Sequence, residues 1–277
     1  MAWNFLNKGV ALDRAREQIG GVLMELNARL TSLSVDAEIA ASLYLLFIEA
    51  ADQRTRTLFS DPSVTQGFQT ERYWRIREIS TQTQRPIPLI ESEVYFQLNR
   101  LSQIMSQLDH YSEILSLDRD EHALVLDTNV LLHGRMFNEL DWPTIVPSKK
   151  VKLLIPLVVL DELDNMKDRD KEFDKKARTV IRAFDPYLSD MSPFGPHGVR
   201  RNVTIQFIDE PIGHQRWNRM DDEIVRQSVY FASACEGRFT VVSQDRGMRI
   251  RTRGVGIESS LLPLPFMAEK ARQRADD

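Results

Sequence analysis

A chain of 277 residues with 42% apolar and 27% charged residues has the material for about two packed domains; no run approaches ~18 apolar residues and no basic-then-apolar segment opens it, so neither a membrane span nor a signal peptide is expected. Cys235 is the only cysteine, which excludes an internal disulfide and suits a reducing, cytoplasmic location. The net charge of −4 sits in the first 120 residues; residues 121–277 balance their charges, which permits a local basic surface without demonstrating one.

Residues 1–117 read as an all-α N-terminal domain. Leu12, Ile19, Val22, Leu23, Leu26 and Leu30 recur at helical spacing and predict a helix from 8 to about 32. Gly20-Gly21 weakens its middle, at ~1 kcal/mol for each glycine against alanine. Ser34 or Asp36 caps a second helix, with Ala37, Ala40, Ala41, Tyr44, Leu45, Ile48 and Ala51 on one face; Asp61-Pro62 ends it. Residues 63–88 are polar and irregular at their edges, and Pro86 and Pro88 break the chain. Val94, Leu98, Leu101, Met105, Leu108, Ser112 and Leu115 then alternate steps of four and three over residues 89–117. That seam belongs inside a helical bundle, or else pairs with a second copy of the chain or another protein. Arg72, Arg75 and Arg77 beside Tyr73 and Trp74 form a solvated helix face, the alternative being contact with RNA by charge and stacking.

The charged connector Leu117–Glu121 leads into a second domain over 122–265. Val125 and Leu126 belong to a short apolar strand that runs into Asp127, with a helix from Asn129. Val151–Pro156 is a second strand, and Leu157–Leu163 enters a helix that continues from Lys167 to Arg182. Residues 186–202, with Pro193, Gly195, Pro196 and Gly198, read as a loop. Val203–Ile208 is a strand, Asn218–Ile224 leads into a helix, Phe239–Ser243 is a strand, and Gly256–Glu258 opens a last one. Residues 266–277 form a charged tail. The alternation of strand and helix implies a parallel sheet covered by helices on both faces.

Four acids fall at corresponding places. Asp127 and Asp245 follow apolar strands; Glu162 and Asp221 or Asp222 sit in the first turn of predicted helices. In a parallel sheet these positions share one edge. Carboxylates so placed raise one another's pKa and call for a cation. With no His or Cys pattern beside them, oxygen-only ligation points to Mg²⁺ or Mn²⁺ rather than Zn²⁺. Any one acid alone also reads as a helix cap or a first-turn charge. Asp161 and Asp164 flank Glu162 and rank below it. His133 and His214 read as structural.

Leu124–Leu132 resembles the opening motif of PIN-domain nucleases. Ile155–Asp164 resembles their second motif, Asp221–Ile224 the third, and Val242–Ile250 the fourth. The resemblance covers about 122–265. It implies a three-layer α/β/α PIN-like domain with a central parallel sheet, and metal-dependent cleavage of RNA, usually single-stranded. Carried over, Asp127, Glu162, Asp221 and Asp245 are the catalytic metal cluster, with Asp222 close behind Asp221. Asn129 and Ser243 orient ligands or water. Arg246, Arg249, Arg251, Arg253 and Arg219 lie where they suit phosphate contacts, as does Arg216; ordinary surface charge is the alternative. The leading expectation is a Mg²⁺- or Mn²⁺-dependent endoribonuclease. The alternatives are an RNA-binding scaffold without turnover and a nuclease directed at DNA ends or flaps.

Overall fold

The computed structural model describes residues 6–269 except 8, 32–35, 60–63, 65, 81–82, 167–170, 190–193, 211–213 and 236–237. Ser34, Asp61-Pro62 and residues 167–170 of the second domain therefore lie outside the described residues, as does the tail beyond 269. The chain divides into two compact units, Asn4–Glu113 and Met1–Trp3 with Ile114–Asp277.

The first unit is helical throughout its assigned elements: α1 (Leu12–Thr31), α2 (Ala37–Thr55), α3 (Glu71–Arg77) and α4 (Pro86–Ile114). Gly20-Gly21 lies inside α1 without ending it. Asp36 caps α2, accepting from the amides of Glu38 and Ile39. Asp36→Ala is expected to cost α2 about 1 kcal/mol, with faster hydrogen exchange at the Glu38 and Ile39 amides, while Asp36→Asn keeps the protection. Unchanged exchange in the alanine variant would refute the cap.

Pro86 does not break the chain ahead of α4; it begins the helix, where its missing N–H is no loss and its fixed φ suits the first turn. The buried ridge of α4 is also displaced from the apolar seam. It runs Ile90, Val94, Gln97, Leu101, Ile104, Leu108 and Tyr111, with Glu93 beside it. Glu93 and Gln97 are fully buried. Their partners explain it: Thr70 Oγ1 and Gln97 Nε2 donate to Glu93 Oε1 at 2.8 and 2.9 Å, Arg72 reaches Oε2 at 3.2 Å, and Gln97 Nε2 also donates to the Gly67 carbonyl at 2.8 Å. A satisfied polar pair occupies positions that an apolar pattern leaves empty.

In the second unit the order is β1 (Glu121–Leu126), α5 (Thr128–His133), α6 (Trp142–Ile145), β2 (Lys150–Pro156), α7 (Leu157–Met166), α8 (Lys171–Leu188), β3 (His197–Arg200), β4 (Val203–Ile208), α9 (Met220–Ala234), β5 (Phe239–Val242), α10 (Arg246–Gly254) and β6 (Glu258–Ser260). The sheet runs β3-β4-β2-β1-β5-β6. All neighbours are parallel except β3, which is antiparallel to β4. The architecture is a mostly parallel sheet flanked by helices, an α/β/α layering, with an all-helical region before it.

Two expectations for 186–202 need correction. Helix α8 runs through Pro186 to Leu188, the proline forfeiting one bond, that to the Arg182 carbonyl, in the last turn. Strand β3 lies within the expected loop. It is the edge half of a hairpin whose turn includes Asn202 at φ 63, a left-handed conformation that asparagine tolerates. At the far end, Ala268 N donates to the His133 carbonyl at 2.9 Å, and Met267 bridges to Gly134, so the chain stays bonded to this unit that far. Among the described residues no helix is long and apolar enough to cross a membrane.

Candidate active site

The centre of the sheet places the first acid. From β1 the chain steps to β2 and β4 on one side, then crosses back to β5 on the other. The reversal falls between β1 and β5, the crevice where open α/β sheets hold ligands. Leu126 and Val242 are partners in register, and the Asp127 amide donates to the Val242 carbonyl at 3.1 Å. The next residue of each strand, Asp127 and Ser243, therefore lie side by side.

Ser243 Oγ donates to Asp127 Oδ2 at 2.6 Å and accepts from the Asp245 amide at 3.0 Å. The amide fills a lone pair, so the one hydroxyl proton is directed at Asp127. Asn129 Nδ2 donates to the same Asp127 oxygen at 3.4 Å. Asp127 is 1% exposed. Burial pushes its carboxyl up to about 6, and the charges of Glu162 and Asp221 push the same way; the bonds from Ser243 and Asn129 oppose them.

Glu162 lies in the second turn of α7, not the first, because the helix starts directly at Leu157. Thr128, the residue after Asp127, donates its hydroxyl to Glu162 Oε2 at 2.5 Å. Burial raises the Glu162 carboxyl, the Thr128 bond lowers it, and the charge of Asp221 raises it again. Asp221 is in the first turn of α9, an end of the helix that favours negative charge. Three acids from β1, α7 and α9 thus act on one another. The positioning role of Thr128 was not among the sequence expectations, although its place directly after Asp127 is a signal for it.

Asp222 and Asp245 differ from these three. Asp222 lies beside Arg219, at 3.8 Å, and Arg251, at 3.1 Å. Asp245 is exposed and caps α10, its Oδ1 accepting from the Met248 amide at 2.7 Å. Among the described residues, no three of the five acids bring ligand oxygens within 4.8 Å of one another.

The arginines are largely engaged with the protein. Arg251 pairs with both Asp221 and Asp222. Arg249 donates to the Ser243 carbonyl at 2.9 Å, and Arg253 to the Ser259 carbonyl at 2.9 Å. Arg246 and Arg219 are exposed at the starts of α10 and α9. Arg216 joins Glu210, at 2.8 Å, to Asp161, at 2.6 Å.

That last pair belongs to a network with no local signature in sequence. Glu210, His214 and Glu223 each bring one ligand atom within 4.8 Å of the others, a spacing that suits a metal. Each already has a protein partner, however. His214 Nε2 lies 2.9 Å from Glu223 Oε1, the Trp217 amide donates to Glu223 Oε2 at 3.0 Å, and Gln227 Nε2 donates to both Glu210 and Glu223. The set ties the segment after β4 to the first turn of α9, next to Asp221.

Residues 124–262, half of the chain, match the family model of the PIN domain. The chain belongs to the PIN-domain family. No curated protein matches it. Among solved structures, "A domain of a functionally unknown protein from Methanocaldococcus jannaschii DSM 2661" is similar, at 19% identity over 51% of this chain and 91% of that one, with a TM-score of 0.36. PIN domains are generally nucleases that use divalent metals, so the coarse assignment is a hydrolase of the nuclease type. Within the PIN domain, the first motif supplies Asp127 and Thr128, the second Glu162, the third Asp221, and the fourth Ser243 with its Asp245 amide.

Proposed function

We propose that this PIN protein is a Mg²⁺- or Mn²⁺-dependent endoribonuclease that hydrolyses phosphodiester bonds of single-stranded RNA. One observation carries the reading: a nearly fully buried Asp127, with two further carboxylates acting on it, at the switch point of the sheet. The donor set fits a hard divalent cation, since every group of the trio offers oxygen and none offers nitrogen or sulfur. Asp127, Glu162 and Asp221 would hold it, with Asp222 and Asp245 at the margin. Bound there, the cation would supply Lewis-acid charge for attack of water on phosphorus. Ser243 and Asn129 hold the Asp127 carboxylate in one orientation, and Thr128 does the same for Glu162. Exposed Arg246 and Arg219 take the RNA backbone on either side. The single buried Cys235 fits a cytoplasmic setting.

With Mn²⁺ supplied, a labelled single-stranded RNA is expected to be cut internally, and the DNA of the same sequence left intact. Undiminished cleavage in EDTA, or preference for DNA, would overturn the reading. A second reading, an RNA-binding protein without turnover, is favoured by the spread of the acids and by Arg251 lying on two of them. Saturable RNA binding with no cleavage in Mn²⁺ would select it.

A further inference from the structure

Arg251 stands in an unusual position for a residue at a nuclease site. It reaches from the second turn of α10 to the first turn of α9, where Nη2 pairs with Asp221 Oδ2 and Nε lies 3.1 Å from Asp222 Oδ1. All three side chains are about 30% exposed, so the contact is partly shielded from water. The guanidinium also lies over the first turn of its own helix. A Cβ built on Gly247 would stand 3.0 Å from Asp245 Oδ1 and 3.4 Å from Arg251 Nη1. The cation is therefore set among the acids of the third and fourth motifs. Asp221 is also the acid whose charge reaches both Asp127 and Glu162.

We propose that Arg251 is the resident counter-ion of the acid site: it neutralises Asp221 and Asp222 when no divalent cation is bound, competes with Mg²⁺ or Mn²⁺ for their oxygens, and thereby sets the affinity for metal. This inference rests on the metal reading above. The chemistry is a competition between cations. A divalent ion that takes Asp221 Oδ2 must displace a guanidinium that already donates to it. The like charges of ion and guanidinium repel at this range, and the partly shielded setting leaves that repulsion less screened than in open solvent. Arg251 thus protects the acids from mutual repulsion and weakens metal binding at the same time.

The experiment is a Mn²⁺ titration of the full chain, followed by the loss of the free-ion paramagnetic resonance signal, for wild type, Arg251→Gln, Arg251→Lys and Asp127→Asn. Arg251→Gln is expected to bind Mn²⁺ about tenfold more tightly than wild type, as removal of one unit charge beside the ion requires. Arg251→Lys keeps the charge and is expected to stay near wild type, which separates charge from packing. Unchanged or weaker binding by Arg251→Gln, with binding still dependent on Asp127, overturns the role of Arg251 alone. Equal titrations for wild type and Asp127→Asn overturn the metal reading, and the inference with it. If Arg251→Gln fails to fold, Arg251→Lys decides: as a point charge without the fork it should bind Mn²⁺ no more than about threefold more tightly, and a tenfold gain would show that the fork, not the charge, is at work.

Discussion

Asp127→Asn is expected to lower RNA cleavage about a thousandfold or more, while the metal-free protein becomes more stable near neutral pH. The two effects have one cause. Asp127 is buried at the end of β1 with the charges of Glu162 and Asp221 acting on it, and its carboxyl is pushed up to about 6. An acid whose folded pKa lies above its unfolded value of 3.8 stabilises the fold only while protonated. Its contribution is intact below about pH 4 and is lost as pH rises through about 6. A difference of two pH units corresponds to about 3 kcal/mol, an upper figure for the penalty at pH 8. Asparagine carries no charge, and its amide oxygen can still accept from Ser243. Urea unfolding in EDTA should therefore show the variant about 2 kcal/mol more stable at pH 8 and nearly equal to wild type at pH 4. Cleavage at the wild-type rate would remove Asp127 from the chemistry. Equal stabilities at both pH values would show that its carboxyl is not held in the buried, repelled state.

The parts of this site that local sequence reveals are those made by local rules. An apolar run that ends in an acid is legible because a buried parallel strand has few alternatives, and so Asp127 and Asp245 could be placed at one edge in advance, whereas Ser243, read as the last residue of its strand, lies just beyond the end of β5. Asp221 was legible as a first-turn acid. The start of α7 was less so: Leu157–Leu160 is equally suited to strand or helix, and reading the helix start too late put Glu162 in the first turn. Strand β3 was hidden because His197–Arg200 has loop composition and owes its conformation to a hairpin partner. Glu93 and Gln97 were hidden for a related reason. Their partners lie on Gly67, Thr70 and Arg72, more than 20 residues away, and burial of a carboxylate is intelligible only once those donors are in place. The arginines after Asp245 illustrate the limit for function. Their position in sequence suits phosphate, yet helical geometry turns Arg251 onto α9 and Arg253 onto the Ser259 carbonyl.

Glu223→Ala is expected to destabilise the PIN domain by about 3–5 kcal/mol, through a network that the first two acids of α9 give no hint of. Glu223 is fully buried, yet its carboxyl lies below the usual range. Burial alone pushes it up; the Trp217 amide, Gln227 and His214 together outweigh burial. A lowered acid contributes stability that is complete above its unfolded pKa and fades as pH falls through its folded value, opposite in sign to Asp127. Truncation to alanine takes the acceptor from the Trp217 amide, removes the Glu223 half of the Gln227 bonds while that to Glu210 stays, breaks the contact with His214, and opens a cavity beside α9. Glutamine retains one acceptor oxygen, so Glu223→Gln should cost less than half as much. The measurement is chemical unfolding at pH 7 by tryptophan fluorescence, in which Trp142 and Trp217 both report on this unit. A loss under about 1 kcal/mol in the alanine variant would show that the network is ornamental. The stronger consequence concerns Asp221. The segment that Glu223 holds lies next to the first turn of α9, so the variant should also weaken Mn²⁺ binding although Glu223 is not a ligand, because it loosens the turn that presents Asp221 to Asp127 and Glu162.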